Sequence, residues 1–170
     1  MINKPQPEEY PEYAAPYVSL VLPDNVLDLL TDLQESSYIF FSNLSDQQAG
    51  YAYEENKWTV KQVLGHMIDT ERVFGYRAFC FSRERTELPE FDQDVYVENA
   101  HFNTQTIQSL AEEFKAVRAS NLYMFRDLKS DQYLNSGIVN NYKVSVRALI
   151  YMIAGHELYH LKLLKERYLL

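Results

Sequence analysis

Two histidines occupy positions where a buried helix face calls for apolar side chains. Residues 145–169 read SVRALIYMIAGHELYHLKLLKERYL, with apolar residues at helical spacing through Leu149, Ile153 and Leu163. His156 and His160 fall on the same stripe. At 3.6 residues per turn they lie one turn apart and about 40° apart around the axis. Imidazoles on a buried face need partners, and a metal ion takes nitrogen lone pairs from adjacent turns. Either histidine alone also reads as a satisfied core residue. The pair inside an apolar stripe is what points to a metal.

By letter the same stretch is HExxH, from His156 and Glu157 to His160. That string resembles a zinc metallopeptidase site. The chain continues only as far as Leu170, so a third ligand is expected upstream of the pair rather than on a later helix.

Composition narrows the classes of partner. A chain of 170 residues is long enough to bury a full core. It carries 24 acidic against 16 basic residues, a net charge of −8, which disfavours a nucleic-acid backbone as partner. The one cysteine, Cys80, allows no internal disulfide and fits a reducing compartment. The opening MINKPQPEEYPEY lacks the apolar core of a signal peptide, and no run reaches the length needed to cross a bilayer. The expectation is a cytoplasmic protein without membrane or nucleic-acid partners. Fourteen tyrosines and nine phenylalanines exceed what one small core needs. Aromatic side chains also populate interfaces, so a homodimer is expected.

Residues 1–17 hold four prolines, Pro5, Pro7, Pro11 and Pro16, and read as an extended N-terminal arm whose tyrosines lie against the body. Residues 18–170 read as one helical domain. A first helix is expected from Pro23-Asp24, with Asp24 as cap, through Val26, Leu30, Leu33 and Phe40 to about Leu44. A second runs from Thr59 to about Ser82. Thr59 and Gln62 form a capping box, and the inward stripe is Val63, His66, Thr70, Val73, Arg77 and Cys80. Residues 83–103 read as irregular, a connection of about 20 residues that crosses a bundle end or closes a site. A third helix is expected from about Thr104 to Leu128, and a short segment, Ile138 to Val144, leads to the last helix with Ser145 as cap. Four amphipathic segments and no convincing strand make an all-α, four-helix bundle. The long crossover allows helices two and three to be parallel neighbours.

Three of the four histidines, His66, His156 and His160, lie on inward faces of long helices; the fourth is His101. Three imidazoles converging on one ion leave a position for water or substrate, the composition of a catalytic zinc, nickel or iron site. Cys80 is about four turns beyond His66, roughly 20 Å, and reads as a small buried hydrophobe. Asp69 either holds an imidazole nitrogen or pairs on the surface with Arg72. Glu157, about 100° from His156, either backs an imidazole or faces outward, and outward is favoured. Arg77 and Arg147 either bind an anionic substrate or tie helices together.

The sequence resembles the DinB/YfiT-like metal-binding proteins from about Leu27 to Leu164. The resemblance is carried by WTVKQVLGHMIDTERVF from Trp58 to Phe74, by Phe91-Asp92-Gln93-Asp94, by Ser145 to Leu149, and by Ala154-Gly155-His156-Glu157-Leu158-Tyr159-His160. It implies an up–down–down–up bundle with a long crossover between helices two and three. It also implies that His66, His156 and His160 hold one divalent ion per chain, zinc, nickel or iron, and that His101 matches no ligand. Members include thiol-dependent transferases using bacillithiol, mycothiol or glutathione, isomerases of the maleylpyruvate type, and proteins described as metal-dependent hydrolases. The resemblance therefore implies a small-molecule substrate. Transfer of a low-molecular-weight thiol to a small electrophile leads. Metal-dependent hydrolysis and a stress-responsive metal-binding role without turnover stand as alternatives.

Overall fold

The computed structural model describes residues 2–22, 25–83, 87–168 and 170. Its helices, in chain order, are α1 (Ala15–Leu20), α2 (Val26–Ser42), α3 (Asp46–Ala49), α4 (Val60–Arg83), α5 (Gln93–Ala100), α6 (Ile107–Asp127) and α7 (Val146–Arg167). The strands are β1 (Glu87–Leu88), β2 (Ser136–Val139) and β3 (Tyr142–Ser145). Helices α2, α4, α6 and α7 form the four-helix bundle.

Each long helix begins where a side chain satisfies amide groups that the helix itself leaves free. Asn25 caps α2, Thr106 caps α6 and Ser145 caps α7. Thr59 Oγ1 accepts from the Gln62 amide at 3.2 Å while Gln62 Oε1 accepts from the Thr59 amide at 2.9 Å, the reciprocal box expected for α4. The cap expected at Asp24 lies outside the described residues.

Cross-helix contacts set the topology. Thr31 meets Arg126, Gln34 meets Lys115 and Tyr38 meets Glu112, so α2 and α6 run antiparallel. Glu71 meets Arg118 and Gly75 approaches Asn121, so α4 and α6 run parallel. Trp58 meets Tyr168 and His66 meets His156, so α4 and α7 run antiparallel. The order is up–down–down–up, and the α4–α6 connection must return along the whole bundle.

That connection is more structured than expected. Residues 83–103 contain β1 and α5, with Asp92 capping α5, and a 3-10 turn, Phe102–Thr104, precedes α6. The expectation of no strand is also corrected. Residues 136–145 form an antiparallel hairpin, and β1 adds to β2 in parallel through Glu87 and Leu88. The hairpin turns through Asn140 and Asn141, with φ of 47° and 63°. Two consecutive left-handed residues give the tight turn whose twist matches a hairpin, and asparagine tolerates that region. The arm expected over residues 1–17 is not simply extended: it makes two 3-10 turns and enters α1 at Ala15. It does lie against the body. Glu9 receives Arg147 and Ser145, and the buried Ile2 carbonyl accepts from Tyr151.

The apolar core is split in two. One cluster includes Leu30, Phe81, Phe125 and Leu149; the other includes Phe41, Leu64, Phe114 and Leu164. Between them each bundle helix contributes buried polar groups: Ser37 from α2, His66 and Glu71 from α4, Arg118 from α6, and His156, Glu157 and His160 from α7. Arg118 sits at the centre of this layer. It grips Glu71 with two hydrogen bonds of 2.8 Å, reaches Glu157 Oε2 at 2.7 Å and donates to the Leu30 carbonyl at 3.2 Å. Ser37 donates to the other oxygen of Glu157, and Asn121 donates to Glu71.

Removing the cation leaves two buried carboxylates facing each other without compensation. Arg118→Met is expected to destabilise the fold by about 3–5 kcal/mol, read as a lower urea midpoint, with Arg118→Lys recovering only part because it lacks the fork that holds Glu71. An unchanged midpoint in Arg118→Met would show that the layer does not hold the bundle.

Candidate metal centre

The polar layer holds two separate groupings, one of charge and one of imidazole. His66 lies two turns into α4, and His156 and His160 lie one turn apart on α7. The Nε2 atoms of His66 and His156 are 2.9 Å apart, and those of His156 and His160 are 3.0 Å apart. Nitrogen–metal bonds of 2.0–2.1 Å in a tetrahedron place ligand atoms about 3.3 Å apart. Those two separations are within a few tenths of an ångström of that spacing, and all three ligand atoms lie within 4.8 Å of one another. The groups that could hold an ion among the described residues are these three side chains, all buried.

A glycine precedes a histidine on each helix, and each leaves room for a segment outside the bundle to pack on the backbone there. A Cβ on Gly65 would fall 2.3 Å from the Phe102 ring, and one on Gly155 would fall 2.0 Å from the Tyr17 carbonyl oxygen. Phe102 from the crossover and Tyr17 from α1 thus press on the backbone beside His66 and His156. Tyr17 also stacks edge-on against the His156 ring at 5.4 Å, and Trp58 packs against His66 at 4.9 Å.

Burial favours neutral rings. It lowers the pKa of His66 to about 4, and that of His160 to about 3 with help from His66. His156 is driven well below the ordinary range by burial and then by both neighbours. Neutral imidazoles present lone pairs, the state that a metal requires. With Nε2 as the donor atom of His160, its Nδ1 carries the proton, and that atom is buried without a hydrogen-bond partner among the described residues. The nitrogens that converge fit an ion; the outer edge of His160 has no acceptor holding it.

A cavity of about 390 Å³ opens over His66 and His156. Four segments wall it: Tyr13 and Tyr17 from the N-terminal arm, Thr70, Phe74 and Arg77 from α4, Glu90 and Phe91 from the crossover, and Asn140 from the hairpin turn. His160 is not among its lining residues and sits behind the other two.

The remaining sequence candidates lie elsewhere. Glu157, expected to face outward, is instead buried and directed into the Arg118 network; burial raises its pKa, while Arg118 and Ser37 pull it back. It is therefore turned away from the imidazoles, unlike the glutamate of a metallopeptidase. Asp69 pairs with Arg72 at 3.7 Å on the helix surface. His101 is exposed and takes a left-handed conformation at the end of α5. Cys80 packs against the core around Phe81, away from the cavity. Arg147 ties α7 to Glu9. Sequence reading passed over Glu71 and Arg118. Their signal is position: Arg118 falls one turn from both Phe114 and Leu122, which are buried.

The DinB superfamily model matches residues 28–164. No curated protein sequence matches the chain. Among solved structures, YfiT from Bacillus subtilis, described as a probable metal-dependent hydrolase with an unusual four-helix bundle topology, superposes with a TM-score of 0.69 at 15% identity. The match covers 96% of this chain and 92% of that one. A mycothiol-dependent maleylpyruvate isomerase superposes with a TM-score of 0.66 at 13% identity, covering 84% of this chain and 60% of that one.

Acid should destabilise the metal-free protein through these rings. Their folded pKa values lie below the unfolded value of about 6.5. The stabilisation from burying them neutral is thus complete above pH 6.5 and lost as pH falls through about 4 and 3. The urea midpoint of chelator-treated protein is expected to drop steadily from pH 6.5 to 4, and His66→Gln should shallow that slope. Identical slopes in the two proteins would assign the acid sensitivity to other groups.

Proposed function

The chain belongs to the DinB superfamily, and on that premise we propose that it is a metal-dependent enzyme that transfers a low-molecular-weight thiol to a small electrophile. In this reading His66, His156 and His160 hold one zinc, nickel or iron ion through their Nε2 atoms. The observation that carries it is the meeting of three buried imidazoles, two of which, His66 and His156, line a cavity with His160 behind them. A divalent ion there supplies Lewis acidity that favours the thiolate over the thiol.

The chain's own residues do the rest. Tyr17 and Phe74 pack edge-on against His156 and give the cavity an apolar wall beside it. Thr70 lies one turn beyond His66, with Oγ1 3.5 Å from its Nδ1. Formation of the new S–C bond releases the thiol proton to solvent and expels the electrophile's leaving group. The position of Glu157 favours thiol transfer over hydrolysis, because a water nucleophile profits from a nearby general base. Glu157 is committed to Arg118, and the carboxylate lining the cavity among the described residues is the exposed Glu90. Hydrolysis has its support in the description of YfiT, and thiol use in that of the isomerase.

Elemental analysis of purified protein is expected to find about one divalent ion per chain, lost from the His156→Ala, His160→Ala double variant. Full retention there would place the metal elsewhere. Glutathione, bacillithiol or cysteine with 1-chloro-2,4-dinitrobenzene should give chloride release above the thiol-only background only with metal present, reduced on the order of 100-fold in His156→Ala. Metal-dependent cleavage across an ester and amide panel, with no thiol acceleration, would make the protein a hydrolase. The reading includes a homodimer, supported by exposed Tyr76 and Phe79 on α4. Light scattering should report twice the chain mass, and a monomer at all micromolar concentrations would reject it.

A further inference from the structure

We propose that Arg77 is an anion receptor in the cavity and that the small molecule bound there carries a carboxylate. This rests on the reading of the cavity as the substrate site. Arg77 is 7% exposed, yet among the described residues it makes no ion pair. Its one hydrogen bond runs from Nη2 to the Pro89 carbonyl at 2.9 Å. A guanidinium has five N–H donors, so four remain. Its remaining donors are not sealed in the interior but open on the cavity, whereas the fully buried Arg118 is compensated by two carboxylates. Arg77 differs in lining the cavity, where a ligand anion can complete it.

Position supports the same conclusion. Helical side chains lean towards the N-terminus of their helix, so Arg77 points back along α4 towards His66. Its guanidinium carbon lies 5.9 Å from the Phe74 ring centre, and Phe74 lies 6.4 Å from the His156 ring. Together these distances bound the separation of Arg77 from His156 at about 12 Å. One molecule of six to eight bonds can therefore touch both, its middle lying along Phe74 and Tyr17. Charge selects the class of anion. Among the described residues Arg77 is the sole lysine or arginine of the lining, burial favours neutral histidines, and the exposed Glu90 is acidic. Away from the imidazoles the fixed positive charge on the lining is one guanidinium, whose planar fork fits a carboxylate through paired N–H···O contacts.

Metal-free protein tests this independently of any metal chemistry. Calorimetric titration with 4-phenylbutyrate and with its neutral isostere 4-phenylbutyramide isolates the charge. Wild type should bind the acid at least about 10-fold more tightly than the amide. Arg77→Gln should bring the two within about 2-fold, and Arg77→Lys should keep part of the preference, with circular dichroism confirming that both variants are folded. Equal affinity of acid and amide in wild type, or no binding of either at millimolar concentration, overturns the proposal whatever the variants do. So does an acid preference that survives Arg77→Gln. Phenyl phosphate binding more tightly than the acid would also overturn it, by assigning the site to phosphate. Failure of thiol transfer or of metal binding leaves these outcomes unaffected, so the two readings fall separately.

Discussion

Arg118 determines how the bundle is assembled, because a buried guanidinium accepts few arrangements of its neighbours. It lies on α6 and draws Glu71 of α4 and Glu157 of α7 to the same point. That fixes the rotation of both helices about their axes. Glu157 is the residue after His156, so a carboxylate turned to α6 leaves the imidazole turned towards α4 and the cavity, about 100° away. His66 and Glu71 are separated by about 140° on α4 in the same way. The charged grouping and the imidazole grouping are thus two sides of one rotational setting. The network contains two acids and one base, and burial raises the pKa of Glu157 against the pull of Arg118. The layer desolvates three charges, a cost that an apolar replacement of similar volume would avoid.

The same layer divides the core into two apolar clusters and leaves the imidazoles at the boundary between them. A continuous apolar core would have had no place for three rings that need lone-pair partners. The site is then closed by chain segments outside the four helices. The N-terminal arm presses Tyr17 onto Gly155, the crossover presses Phe102 onto Gly65 and contributes Phe91, and the hairpin turn contributes Asn140. These additions turn a groove between α4 and α7 into a cavity. Walls and floor thus come from different parts of the sequence.

Burial penalises the charge of both Arg77 on α4 and Arg118 on α6, but the two are compensated differently. Arg118 is buried with its counter-charges already in place and is structural. Among the described residues Arg77 has a carbonyl oxygen as its hydrogen-bond partner, and it faces the cavity. The contrast separates a charge that holds the fold from one held ready for a ligand. The three imidazoles belong with Arg77 in this respect. Their burial withholds the proton, and what remains is a set of lone pairs directed at a common point.

Much of this protein was readable from local and periodic signals. Thr59 with Gln62 and Ser145 marked helix starts because a cap is a contact across three residues. The stripe through His156 and His160, and the inward place of His66, followed from the 3.6-residue period, and the fold brings all three together. The long crossover was legible as length, and the parallel α4–α6 pair is its geometric consequence. The hairpin was not legible, because four-residue strands show too little alternation and its turn uses Asn140-Asn141 without glycine. Glu157 was misplaced because periodicity gives the angle of a side chain around its helix but not what stands there. Arg118 stands there, 39 residues away in the chain. The sequence by itself determined the apolar stripes with the three histidines on them and the caps at Thr59 and Ser145, since those depend on neighbours within a few turns. Only the tertiary structure decided which buried charges are paired, which are left open and where the cavity lies, because those depend on side chains that meet across the bundle.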